Sequence, residues 1–484
     1  METDALTTTP HSPADDPRTA AAVARARAER ERTEQRLFDL LRIESVSTKA
    51  EHADDCRSAA LYLRDELEQA GLERAEVLET GGLPCVYAEW LHAPAGAPTV
   101  LVYGHYDVQP PEPLELWHTP PFTPTVRDGA VFARGAADDK GQLWIHVVAL
   151  RAMLAEGGTL PVNVKVIFEG EEESGSEHLD AFVAREAERL ACDVVIVSDT
   201  HMLSADQPSI VSSLRGMSYC EVAVQGPAVD LHSGTFGGAV RNPAEALVHL
   251  LAACKDVDGT ITIPGFYDGI VEPTAEEREA LTKVGFDDAA FRAEAGVSKT
   301  HGEPGWTVYE QVGARPTFEI NGMWSGYIEP GAKTVLPATA HAKVSMRLVA
   351  NQDWTRISDL FEQHLLAVAA DMPGVERVTV TKLHGGRPVL VDTSHPAMLA
   401  ARQALAATFG SEPVFTREGG SIPVVATFAS ELGSPTILMG FGLPDDRLHS
   451  PNEKFSLEQL HKGVEASIAF WHAYAEIAAA GPAA

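Results

Sequence analysis

The chain has 484 residues, more than one ordinary hydrophobic core serves, so two domains are the first expectation. Hydrophobic residues make up 45% and charged residues 22%, the balance of an ordinary globular protein. Asp and Glu number 69 against 38 Lys and Arg, a formal net charge of −31, which repels phosphate backbones and anionic lipid and so argues against nucleic acid and membrane surfaces as partners.

The first residues, METDALTTTPHSPADD, carry acids and no apolar segment. No secretory signal is expected there, and residues 1–17 read as frayed. No apolar run approaches the ~18 residues that span a bilayer. The five cysteines, Cys56, Cys85, Cys192, Cys220 and Cys254, are odd in number and lack CxxC spacing. That argues against a disulfide framework or a thiolate zinc site and fits a reducing cytoplasm.

Residues 18–43 predict a helix with Leu37, Leu40 and Leu41 turned inward, and 54–70 a second helix stopped by Gly71. Four short β-branched runs follow along the chain, at residues 99–103, 162–168, 194–197 and 436–439. Each reads as a largely buried strand. Helical patterns at 142–154 and 178–190 lie between some of them, which indicates an α/β sheet covered on both faces. The middle of the chain differs. It holds the glycine-rich GPAVDLHSGTFGG, a turn-rich stretch over 255–330, and a strictly alternating run at 340–349. In that run Ala340, Ala342, Val344, Met346 and Leu348 share one face, the pattern of an antiparallel strand exposed on the other. The expected organisation is therefore a catalytic domain in two parts, 1–214 and 393–484, with an inserted α+β domain at 215–392.

The residues after each buried strand carry the chemistry. His105 and Asp107 follow the first, in GHYDVQP; Glu171, Glu172 and Glu173 follow the second, in EGEEESGS. Asp199 follows the third and His449 comes after the fourth, while Asp138, Asp139 and Lys140 precede the 142–154 helix. Ligands of open α/β sheets bind outside the carboxyl ends of the strands, so these groups converge on one crevice. Two imidazoles and several carboxylates suit Zn²⁺, Mn²⁺ or Co²⁺ without any thiolate. HExxH, GxSxG and Walker patterns are missing.

GHYDVQP, RGAADDKGQ, EGEEESGSE, VSDT, DLHSG, MRLV, REGGSIP and LHSPNEK, in this order, resemble the M20 metallopeptidases, most nearly their cytosolic dipeptidase and carnosinase branch. The resemblance implies a mixed-sheet catalytic domain with an inserted lid and dimerisation domain. It implies two divalent ions per chain, Zn²⁺ or Mn²⁺ with Co²⁺ possible. One ion is assigned to His105 and Asp199 and the other to Glu173 and His449, with Asp138 bridging both through a cis Asp138–Asp139 peptide. Glu172 is then the general base acting on a bridging hydroxide, Asp107 orients the His105 ring, and His232 holds the oxyanion from across a homodimer. Arg347, Thr334, His384, Gly420 and Ser421 fall at positions that contact a dipeptide. Rival readings are an N-acyl amino acid deacylase or amidase of the same family, and a catalytically inactive binding protein with the same fold.

Plainer roles are expected elsewhere. Glu171 reads as solvated, Asp139 and Lys140 as supporting residues, and His118, His146 and His249 as structural histidines. His201, two residues past Asp199, is a competitor for the same ion.

Overall fold

The computed structural model describes residues 16–284, 286–420 and 422–480. Residues 1–15, most of the stretch expected to fray, lie outside them. The chain divides into two compact units. One runs to Ser212 and takes in Val391–Phe415 and the chain from Thr427; the other comprises Ser213–Leu390 and Thr416–Ala426.

The first unit is built on a mixed sheet with a parallel centre. Strand Thr99–His105 lies between Asn163–Glu169 and Val194–Val197, parallel to both, and Thr436–Leu438 extends the parallel set. Cys85–Trp90 and then Glu73–Leu78 add antiparallel neighbours on one side, and Ser209–Leu214 on the other. The central strands are buried almost throughout, which is why their sequences are unbroken apolar runs. Helix Lys140–Gly157 is buried from Lys140 to Met153 and packs among Pro17–Ala28, Ala53–Ala70 and Leu457–Ala480. A helix enclosed on all sides needs no polar face.

Local readings differ in several places. The single helix expected over 18–43 is two, Pro17–Ala28 and Arg30–Leu41, because the backbone leaves helical geometry at Glu29 (φ −107°, ψ 14°). Leu37, Leu40 and Leu41 are nonetheless fully buried. The helix over 178–190 is likewise split at Glu186 into Leu179–Arg185 and Ala187–Leu190. Thr416–Ala426, inside the span expected to be catalytic, clusters instead with the second unit. There the Arg417 guanidinium bonds the Val271 carbonyl (2.8 Å) and the Glu277 carboxylate (3.1 and 3.2 Å).

The second unit is an antiparallel sheet in the order Glu319–Ser325, Thr339–Leu348, Gly216–Gln225, Arg377–Gly386. Ala340, Ala342, Val344, Met346 and Leu348 are wholly buried on one face, where they share a core with helices Pro243–Ala252 and Trp354–Ala370. Strand Gly216–Gln225 was not among the expected elements, although Cys220, Val222 and Val224 carry the same alternation.

Candidate metal centre

The parallel strands deliver their ends to one place. His105 is the last residue of its strand and is completely buried. Its backbone N–H donates to the Asp139 carboxylate at 3.2 Å. The chain before it must be glycine, because a Cβ on Gly104 would lie 2.8 Å from that carboxylate oxygen and 2.8 Å from Leu143 Cβ. The His105 Nε2 atom faces Asp138 Oδ1 at 3.0 Å and Asp199 Oδ2 at 3.9 Å. On the other side of the shared aspartate, His449 Nε2 faces Asp138 Oδ2 at 2.9 Å and Glu173 Oε2 at 3.2 Å. Two ion-sized groups result, His105–Asp138–Asp199 and Asp138–Glu173–His449, with one Asp138 oxygen turned toward each. The Asp138–Asp139 peptide is cis, as expected.

The supporting bonds explain the local order. The Asp107 carboxylate lies 3.5 Å from His105 Nδ1, while the closer partner of that ring nitrogen is the Asp107 backbone carbonyl at 3.1 Å. The same carboxylate accepts the backbone N–H groups of Glu172 (3.2 Å) and Glu173 (3.0 Å). Asp107 therefore ties the acidic loop to the strand that carries His105. Gln109 Nε2 donates to Glu173 Oε2 at 2.8 Å and orients it. Lys140 is buried and donates to the Ile43 carbonyl at 2.8 Å. Glu171, expected to be solvated, accepts from the Leu83 N–H (3.1 Å) and pairs with His178 (3.0 Å); a carboxylate at a loop start finds donors that charge patterning does not reveal.

The electrostatics are those of a cation site. Burial raises the Asp199 carboxyl well above its ordinary range, and nearby Asp138 adds to the effect. Burial also pushes Glu172 up to about 7, opposed by His105 and reinforced by Glu173, Asp107 and Asp138. Burial opposes ionisation of Asp138 too, but its bonds to His105 and His449 hold its pKa below the usual range. The bonds to Asp138 and Glu173 raise His449 to about 10. Carboxylates gathered in a buried crevice, with imidazoles as their cationic partners, are a donor set that fits divalent ions.

His201 belongs to neither group among the described residues; its carbonyl accepts from Ser209 Oγ at 3.0 Å. His146 is a core histidine between Ser198 and Ser467, and burial lowers its pKa to about 4.

The remaining expected residues, so far as they are described, lie in the second unit. Arg347 pairs with Met217, and His384 with Tyr219 on the opposite side of the same strand, with the His384 and Tyr219 rings stacked 5.2 Å apart. Alternation puts Arg347 and His384 on the sheet face away from the core. His232 lies in a two-residue strand paired with Val335–Leu336, and the Ser233 N–H donates to the Thr334 carbonyl at 3.1 Å, so His232 and Thr334 are neighbours. The Gly420 carbonyl accepts from the Arg215 N–H at 3.1 Å. Ser421 lies outside the described residues. Sequence reasoning missed Gln109 and Glu453, although both sit inside the motifs GHYDVQP and LHSPNEK.

The profile of Peptidase family M20/M25/M40 matches residues 101–473. The chain belongs to that family. Among M20 relatives, the Cys-Gly metallodipeptidase DUG1 of Candida albicans is 33% identical, with 91% of this chain and 94% of that protein aligned. Human Beta-Ala-His dipeptidase is 33% identical over 78% of this chain and 75% of its own. The solved structure of the di-peptidase Dug1p from Saccharomyces cerevisiae superposes with a TM-score of 0.80 at 29% identity, covering 96% of this chain and 99% of that one. The mixed α/β architecture is thus that of the M20 peptidases. Among the described residues, no helix is long and apolar enough to cross a membrane.

Proposed function

We propose that this M20 chain is a dinuclear metallodipeptidase. The observation that carries the reading is the sharing of Asp138 between two ligand groups with Glu172 beside them. His105 and Asp199 would hold one divalent ion, Glu173 and His449 the other, and Asp138 both. Zn²⁺ and Mn²⁺ suit these donors, and Co²⁺ is compatible. Two such ions would polarise the scissile carbonyl and acidify a water between them. Glu172 takes a proton from the attacking water and returns it to the leaving amine. A carboxyl held near neutrality by burial suits both halves of that transfer. Asp107 keeps the base in place through the Glu172 amide.

The substrate side of the proposal uses the second unit. Arg347 receives the C-terminal carboxylate of a dipeptide in its planar fork, with Thr334, His384, Gly420 and Ser421 as further contacts. His232 stabilises the oxyanion. We take the working form to be a homodimer in which the partner subunit supplies that histidine. Strand Glu319–Ser325 is an edge of its sheet and exposes Ile320, Met323 and Trp324, which supports an interface there. The inserted unit then serves as lid and dimerisation domain. The names of the DUG1 and Beta-Ala-His relatives favour dipeptides over acylated amino acids.

The test is a panel of dipeptides, dipeptide amides and N-acyl amino acids offered to metal-reconstituted protein. Free dipeptides should be turned over fastest and their amides poorly, and Arg347→Ala should narrow that gap. Preference for N-acyl amino acids would replace the dipeptidase reading with the deacylase one.

A further inference from the structure

Behind the shared aspartate sits a buried carboxylate that belongs to neither ligand group among the described residues. Glu453 is 0% exposed. Its Oε2 accepts from Arg134 Nη1 at 2.6 Å and the Gly135 N–H at 3.1 Å. Its Oε1 accepts from the Ala137 N–H at 3.0 Å and the Asp138 N–H at 3.2 Å. Four donors on two oxygens all come from residues 134–138, so one side chain gathers that segment and ends on the amide of Asp138 itself. Gly135 makes the turn possible: its φ is +80°, and a Cβ there would lie 2.5 Å from Val108 Cγ1. The far side is fixed as well. Arg134 is buried, its Nη2 donates to the Pro110 carbonyl at 3.2 Å, and its guanidinium lies over Trp117. The Ala133 N–H donates to the Glu453 carbonyl at 3.2 Å. Burial pushes the Glu453 carboxyl up to about 7, while the guanidinium and the amide donors favour its ionised form.

We propose that Glu453 is a positioning residue for both metal ions, acting through the backbone of Asp138. The inference rests on the reading that Asp138 is shared. Because one Asp138 oxygen faces each ligand group, a shift of its main chain displaces both donors together. Loss of Glu453 therefore weakens both sites in parallel, whereas loss of His105 or His449 falls chiefly on one. A buried ion pair serving stability alone lowers the melting temperature and leaves metal affinity untouched.

The experiment titrates Zn²⁺ or Mn²⁺ into metal-free full-length protein and its Glu453→Gln, Glu453→Asp, His105→Ala and His449→Ala variants, and records the metal-induced rise in Tm. An amide in place of the carboxylate turns an N–H toward donors that need an acceptor. Both dissociation constants of Glu453→Gln should rise by roughly 10–100-fold, the usual cost of losing a partner that orients a metal ligand. The metal-induced rise in Tm should shrink with them. A folded Glu453→Gln protein with both constants unchanged, or with only one altered, overturns the proposal. Should that variant fail to fold, Glu453→Asp decides by the same criterion, since it keeps the charge and withdraws the carboxylate by one methylene. Fewer than two ions bound by the wild-type protein would instead sink the shared-aspartate reading, and that result needs no Glu453 variant.

Discussion

The two ligand groups share Asp138 but are built in opposite ways. His105 ends a central strand, is 0% exposed, and has its backbone and both ring nitrogens engaged. His449 lies on a loop in which Arg447, His449 and Asn452 all have left-handed φ values (59°, 57° and 66°), and its side chain is 56% exposed. That loop is held by Asn452, which donates to the Leu116 carbonyl and accepts the His118 N–H, each at 2.8 Å. A sheet end pre-positions its ligand; a strained loop holds its ligand through a few side-chain bonds. The strand-end group should therefore keep its ion more tightly, and the loop group should exchange first.

Glu172 is where that comparison meets catalysis, and it carries the largest expected effect. Glu172→Gln keeps shape and removes the proposed base, so kcat should fall by roughly 10²–10⁴ with both ions retained. Unchanged turnover in a metal-replete variant would move the base elsewhere.

Next come the two histidines. His105→Ala and His449→Ala should each reduce the metal content from about two ions to about one. In the wild-type protein a chelator should strip one ion well before the other, and His449→Ala should abolish the fast phase. Identical stripping of both ions would erase the distinction between strand and loop.

The smallest effect concerns protons. The bonds to Asp138 and Glu173 push the His449 imidazole up to about 10, which favours the imidazolium form paired with those carboxylates before an ion binds. Ligation needs the neutral ring. Ion binding should therefore release protons, and apparent affinity should weaken as pH falls and strengthen as pH rises toward 10. Calorimetry in buffers of different ionisation enthalpy reads the release directly. His449→Ala should release about one proton fewer, and equal release would remove His449 from the ligand set.

How much of this was legible follows from the same contrast. His105, Asp199 and the run Glu171–Glu173 follow short apolar strands, so the rule that open sheets bind at their strand ends gathers them, while the resemblance to the M20 pattern picks Glu173 out of its run. His449 follows the fourth apolar run at a distance, past strand Thr436–Leu438 on an irregular loop, so the strand-end rule gathers it with the others but only the resemblance of LHSPNEK to the M20 pattern makes it a ligand. Glu453 lies inside LHSPNEK, but its partners could not be read, because it bonds backbone N–H groups more than 300 residues earlier, and such bonds leave no trace in spacing. The break at Glu29 is a local departure inside a continuous helical pattern, and helix periodicity does not register it. Strand Gly216–Gln225 was readable from its alternation but was obscured by the glycine-rich stretch beside it.

The central claim is that one aspartate serves two ions, and elemental analysis of Asp138→Asn beside the wild-type protein tests it most directly. The wild-type protein should carry about two divalent ions per chain, and the folded variant close to none, because each group loses the charged oxygen facing it. A variant that still holds two ions, or loses only one, would contradict the account.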